Sequence, residues 1–490
     1  MLLRSRLLVP AVLVAVLGFA MVVGGGVVGS GFVIGGVGRS GPAGTDITAQ
    51  GDRPPRTPAA AASSPGLAVS LGAGAGADGH DRDGADSPGG RGGGGDGRGA
   101  TAGSGASAGA GGRSAPDGGG SAGSNGTRTG AGTTAACTTS AASRAAATRV
   151  AALSLEQQAG QVVMVGVPIS SPRTAIGLVR QSRLGGVFLQ GRSAQSASGL
   201  HDEVRAVQEA ARGDVGTPVH IAVDQEGGQV QSLSGLGFER IPTALEQGGW
   251  DAATLRQRTS GWSRALAEAG VTLDLAPVAD TVAPGTAQDN PPIGFYQRNF
   301  GTDPGSVAAD MRVAVPAMQQ AGLLATVKHF PGLGRVHANT DTSAAAVDET
   351  ASTTDPDLEP FRAAISAGTA AVMVSLARYP QLDPDAPAVF SHPVVTGLLR
   401  GQLGFGGLVV SDDLGAAVAV ASVPVGERAV RFIEAGGDLA LSVRGADGAT
   451  MTAALAAEAR RSPTFARRLT QAATSVLASK ARAGLLGCTP

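Results

Sequence analysis

From residue 137 to residue 490 the sequence predicts an α/β fold, a (β/α)8 barrel of the TIM type. Three observations carry that expectation. Eight short β-rich or apolar runs recur along this stretch, helical patterns separate most of them, and none of the runs shows a sustained alternation of apolar and polar residues. Strands that do not alternate with polar residues are covered on both faces, which means parallel pairing under a layer of helices. Eight such units in one domain of this size fit a closed barrel. A doubly wound open sheet is the alternative, but no GxGxxG follows the first run to support a dinucleotide fold.

The elements before the barrel have other compositions. Arg4 and Arg6 precede a long apolar run, so residues 1–37 predict a signal peptide or a membrane anchor. Residues 38–136 are Gly/Ala/Ser/Asp/Arg low complexity, as in Gly89–Gly95 around Arg91. Such a segment has too little apolar surface to offset its ordering entropy and predicts a disordered linker. Its interleaved aspartates and lack of aromatics argue against RNA binding, and a net charge of −1 points to no polyanionic partner. An exported protein is expected, extracellular or held at the cell envelope, touching a membrane only through its N-terminal segment. Cys137 and Cys488 bracket the barrel, and an exported chain with such a pair predicts a disulfide clasping the domain ends. A monomer is expected.

The apolar runs are Val162–Val167, Gly186–Leu189, Val219–Val223, Leu273–Pro277, Leu324–Val327, Ala371–Val374, Leu408–Val410 and Asp438–Leu441. Helical patterns between them include Leu200–Arg212, Trp262–Ala269, Val307–Ala321 and Leu358–Ala367. Polar residues leave four of the strands. The third runs into Asp224-Gln225-Glu226-Gly227-Gly228, the fourth into Asp280, the fifth into Lys328-His329 and the seventh into Ser411-Asp412-Asp413. In a barrel these ends converge on one rim, where such enzymes hold their chemistry. Asp413 alone reads as a helix N-cap.

Lys328 stands out further. The 38 basic residues include only two lysines, Lys328 and Lys480. A chain that otherwise uses arginine needs a compact ammonium at this strand end. After Lys328-His329 come a turn, Pro331-Gly332-Leu333-Gly334, and then Asn339-Thr340-Asp341.

Two carboxylates facing one another across a polar pocket are the minimal equipment for cleaving a glycosidic bond. Other chemistries are less well equipped. His329, His337 and Asp341 straddle a Pro-Gly turn without regular metal-ligand spacing. The folded part has no G-x-S-x-G elbow for a serine hydrolase. A Schiff-base aldolase using Lys328 is compatible with the Lys-His pair.

Five segments occur in order: Val223–Gly228, Leu275–Asp280, Arg298–Pro304, Lys328–Gly334 and Val410–Leu414. Together they resemble glycoside hydrolase family 3, specifically its single-domain bacterial β-N-acetylhexosaminidases. The resemblance runs from Leu153-Ser154-Leu155-Glu156 to the C-terminal helix. It implies a barrel, a retaining hydrolase of cell-wall-derived saccharides with terminal β-linked N-acetylglucosamine, and neither metal nor organic cofactor. It also implies Asp412 as the nucleophile, with Asp224, Arg298, Lys328 and His329 holding the sugar. Two positions depart from the family. Relatives carry Asp-Ser-His where this chain has Asn339-Thr340-Asp341, so their acid/base imidazole is replaced by a carboxylate. Either Asp341 is the acid/base, with His337 four residues earlier as a substitute or simply loop surface, or the barrel binds wall glycans without efficient hydrolysis. Gln229 stands where relatives often place arginine.

Overall fold

The structure, a computed structural model, describes residues 139–488. The expected signal or anchor, the linker and the Cys137 end of the expected disulfide lie outside these residues.

All eight apolar runs are strands of one parallel sheet. They are β1 (Val163–Pro168), β2 (Gly186–Gln190), β3 (His220–Val223), β4 (Leu273–Asp274), β5 (Leu324–Phe330), β6 (Ala371–Val374), β7 (Leu408–Ser411) and β8 (Ala440–Ser442). Each lies beside its neighbours in sequence, and β1 pairs with β8 through Val163 and Ala440. A bridge between Val410 and Leu439 joins β7 to the residue before β8, which brings the ends of the sheet together. The residues of β1 to Val167, and all those of β3, β5, β6 and β7, are buried, as strands covered on both faces require, the buried polar residues His220, Thr326, Lys328, His329 and Ser411 included.

The helices begin where the sequence provides caps. Ser154 and Gln157 form a reciprocal capping box before α2 (Leu155–Gln161), after α1 (Thr139–Ala151). The crossovers over the first half of the ring are α3 (Ala175–Ser182), α4 (Ala197–Ala210) and α6 (Ala252–Glu268), with the short α5 (Ala244–Gln247) before α6. Asp303 caps α7 (Pro304–Gln320) by accepting the Ser306 N–H at 2.8 Å, with Pro304 in the first turn. After these come α8 (Glu359–Ser366), a π-helical segment at Pro393–Gln402, α9 (Val425–Ala435), α10 (Asp447–Arg461) and α11 (Pro463–Arg482). Among the described residues, no helix is long and apolar enough to cross a membrane.

The end of the barrel away from the charged strand exits is closed by buried polar bonds. Asp438 takes Arg400 at 2.6 Å and Arg468 at 2.7 Å, and also accepts the Val409 N–H at 3.0 Å. His220 opens β3 and joins Thr272 and Ser479 at 3.1 and 2.8 Å. Beside it the Lys480 amine is fully buried and donates to Gln161 at 2.6 Å. Burial pulls the Lys480 pKa down to about 7. Both lysines of the chain are therefore interior. At Lys480, which donates to the Gln161 amide, a group able to shed its proton suits the site, and arginine cannot do so.

Candidate active site

The charged exits of β3, β5 and β7 meet at the C-terminal mouth of the barrel. There they line a cavity of about 410 Å³ that includes Asp224, Arg298, Lys328, His329, Asp341 and Asp412. All six residues expected at the site are thus brought together. His337 is not among them: it is exposed, and its Nδ1 bonds the Asp289 carbonyl at 2.8 Å.

Glu226 organises the floor. Arg298 grips it as a fork, Nε to Oε2 at 2.8 Å and NH2 to Oε1 at 2.7 Å. The Lys328 ammonium lies 2.7 Å from Glu226 Oε1 and 2.7 Å from Asp224 Oδ1. Burial pushes the Glu226 carboxyl up, but Arg298 and Lys328 outweigh it and hold the pKa at about 2. Burial likewise opposes the Lys328 charge, and Asp224 with Glu226 more than restores it. One N–H of Lys328 and the second oxygen of Asp224 remain for a ligand. The sequence pattern supplied the reason for Glu226 too. In an extended chain residues two apart point the same way, so Asp224 and Glu226 share a face. Gln225, between them, turns to the other side and bonds the Leu233 backbone at both its amide atoms, 2.9 Å each.

His329 is oriented by Asp280, which leaves the fourth strand. Asp280 Oδ2 lies 2.7 Å from Nδ1, while Oδ1 accepts the backbone N–H groups of His329 at 3.2 Å and Leu333 at 2.8 Å. Arg298 NH2 approaches Nε2 at 3.4 Å, and a guanidinium can only donate. Nδ1 is thus engaged by Asp280, and Nε2 is the ring nitrogen that faces Arg298.

The turn after β5 must lie close against the exit of β4. A Cβ at Gly334 would stand 1.7 Å from the Thr281 carbonyl oxygen, so only glycine fits. Asn290 then donates to the carbonyls of Leu333 and Val336 at 2.8 and 2.9 Å. Further along, Asn339 Oδ1 accepts the Asp341 N–H at 2.9 Å, forming an Asx turn. The tip docks beside β7: Ala419 N–H donates to the Thr340 carbonyl at 3.0 Å and Val418 N–H to that of Asp341 at 3.2 Å. The Asp341 side chain stays open to the cavity. Loss of water there, then Asp412 and Asp413, raise its pKa to about 6, with Arg298 opposing.

Asp412 and Asp413 differ in what their oxygens do. Asp413 accepts four backbone N–H groups, from Gly415, Ala416, Ala417 and Val443. It is not the helix N-cap expected from the sequence: residues 414–416 form a turn, and Asp413 gathers the N–H groups of that turn and of Val443. Asp412 accepts the Asp413 N–H at 2.8 Å through Oδ1 and presents its remaining oxygen to the cavity. Behind the floor lies Asp274, whose Oδ1 accepts the Gln225 N–H at 3.0 Å. Burial raises its pKa to about 8, so it is a neutral acid near pH 7.

Residues 154–477 match the model of the glycosyl hydrolase family 3 N-terminal domain. The chain belongs to glycoside hydrolase family 3. It is a glycosidase acting on O-glycosyl compounds. A crystal structure of a β-N-acetylhexosaminidase from Beutenbergia cavernae shares 45% identity and superposes with a TM-score of 0.65, over 67% of this chain and 98% of that one. The family 3 β-N-acetylglucosaminidase of a Paenibacillus species gives 31% identity and a TM-score of 0.60, over 68% and 63%. A β-hexosaminidase of Xanthomonas oryzae pv. oryzae is 36% identical over 252 residues, covering 50% of this chain and 72% of that protein. Within this family 3 barrel, Gln229 is exposed, and the guanidinium of Arg192 donates to its carbonyl. A cation from the β2 exit thus stands beside the position where relatives often place one.

Proposed function

We propose that this family 3 glycosidase removes terminal β-linked N-acetylglucosamine from cell-wall-derived saccharides outside the cytoplasm, with retention of configuration. Asp412 attacks the anomeric carbon while Asp341 gives its proton to the departing glycosidic oxygen. The glycosyl ester on Asp412 is then hydrolysed. Asp341, now a carboxylate, takes a proton from the attacking water, and Asp412 is released. Asp224 and Lys328 bind ring hydroxyls, Arg298 fixes the floor, and His329 accepts from the sugar edge of the pocket or from Arg298.

One observation carries this proposal. Two carboxyls line the same cavity, and the environment of Asp341 raises its pKa to about 6 through burial and the nearby Asp412 and Asp413. Paired carboxyls with different environments are how glycosidases divide acid from nucleophile. The arrangement also cycles. Esterification of Asp412 removes one of the charges that raise the Asp341 pKa, so that pKa falls and Asp341 stays ionised, ready to take a proton from water. The substrate class draws on the names of the hexosaminidase relatives and on the five sequence segments.

Incubation with 4-nitrophenyl β-N-acetylglucosaminide and 4-nitrophenyl β-glucoside tests the proposal. Turnover of the first, lost in Asp412→Ala, is expected. Sugar binding without turnover of either would mean a binding module instead.

A further inference from the structure

Arg335 follows the glycine turn by one residue and lines no part of the cavity, yet it gathers three carboxylates. Its Nε donates to Asp348 Oδ2 at 3.0 Å and its NH1 to Asp355 Oδ1 at 3.2 Å, with further bonds to Asp355 and Asp357. Burial works against the guanidinium charge, and Asp355, Asp348 and Asp357 raise its pKa in spite of it. Asp348 is itself fixed. It is 4% exposed, and its Oδ1 accepts the N–H groups of Thr350 and Ala351 and the Thr350 hydroxyl. Its own N–H donates to the Arg378 carbonyl at 3.0 Å.

These bonds tie together the two ends of the segment from 336 to 347, which carries Asn339-Thr340-Asp341. Beyond the turn bonds from Thr342 and Ser343 to the Asn339 carbonyl, the tip is held by backbone bonds from Val418 and Ala419. How far Asp341 reaches into the cavity therefore depends on the height of the loop base, and Arg335 with Asp348 closes that base. A proton donor displaced by about 1 Å loses much of its effect.

We propose that Arg335 is a positioning residue for Asp341: its clasp on Asp348, Asp355 and Asp357 holds the loop at the height from which the Asp341 carboxyl reaches the leaving oxygen. The clasp rests on the acid/base reading of Asp341. Lysine cannot replace it fully, because a single ammonium cannot fork across three carboxylates. Alanine leaves those carboxylates facing one another at low exposure, and the base opens.

The test compares the wild type with Arg335→Ala, Arg335→Lys and Asp341→Asn. It reads kcat/KM on two β-N-acetylglucosaminides, one with a 2,4-dinitrophenyl leaving group and one with methyl. The first needs no proton and the second does. Asp341→Asn is expected to lose about 10²–10⁴-fold on the methyl glycoside and little on the dinitrophenyl one. Arg335→Ala is expected to repeat that split with a loss of at least about tenfold, and Arg335→Lys to fall between. A fold defect alone would slow both substrates equally. Equal slowing, or no change, in Arg335→Ala beside a clear split in Asp341→Asn would overturn the positioning role and leave the acid/base intact. No split in Asp341→Asn would overturn the acid/base reading and the role of Arg335 with it.

Discussion

Arg298 holds Glu226 with two parallel bonds, at 2.7 and 2.8 Å, and Lys328 reaches the same carboxylate at 2.7 Å. A buried ammonium and a half-buried guanidinium share one buried anion, with Asp224 as the second partner of Lys328. Glu226→Gln removes the charge that both cations need. Breaking a buried pair from one side costs roughly 3–5 kcal/mol, so the urea midpoint should fall. KM should rise as well, because Lys328 loses a fixed anchor. The pH sign follows from the depressed pKa. The contribution of Glu226 is full above its ordinary value of 4.5 and is lost as pH falls from there towards about 2. Urea midpoints at pH 6 and pH 3 should therefore differ more in the wild type than in Glu226→Gln.

Neighbouring aspartates at the end of β7 should behave oppositely. Asp413→Ala leaves four backbone N–H groups without their acceptor and should destabilise the fold by about 1–3 kcal/mol or more. Asp412→Ala removes one such bond and should leave the thermal midpoint nearly unchanged while lowering kcat by at least about 10³-fold. Thermal melts and initial rates on the same preparations check both.

Asp341 must be protonated to act as an acid. With its pKa raised to about 6 by burial, Asp412 and Asp413, kcat/KM on a methyl or disaccharide substrate should decline as pH rises through about 6. The dinitrophenyl glycoside should show no such limb. A pH–rate profile with both substrates checks this.

Asp274 carries the opposite linkage to Glu226. Its folded pKa is raised from 3.8 to about 8, so its stabilising proton is fully present below about 4 and lost as pH rises through 8. Stability of the wild type should drop between pH 5 and 9. Asp274→Asn keeps an acceptor for the Gln225 N–H and should flatten that drop, as read by urea midpoints across the range.

The strands were legible because burial on both faces leaves mostly apolar runs without alternation, and all eight runs became neighbours in sequence order. The strand exits marked Asp224, Lys328 and Asp412 for the same reason: a charge directly after an apolar strand has nowhere to point except the barrel mouth. Arg298 became a site residue only through the family resemblance, since nothing in its local pattern aims it inward. Glu226 carried a signal in its spacing from Asp224. Arg335 carried none, because its partners Asp348, Asp355 and Asp357 lie along an irregular segment with no period to align them. Scarcity of lysine pointed correctly to Lys328, yet Lys480 is equally rare and equally buried, so rarity marked interior amines rather than chemistry.

The central claim is that Asp412 forms a covalent bond to the sugar. Treatment with a 5-fluoro-N-acetylglucosaminyl fluoride, which slows hydrolysis of the glycosyl ester, followed by peptide mass spectrometry, tests it most directly. One added glycosyl mass on the peptide containing Asp412, located at Asp412 and absent from Asp412→Asn, is the expected result. A label on Asp413 or elsewhere, or no label from an enzyme that turns over the unfluorinated substrate, would contradict it.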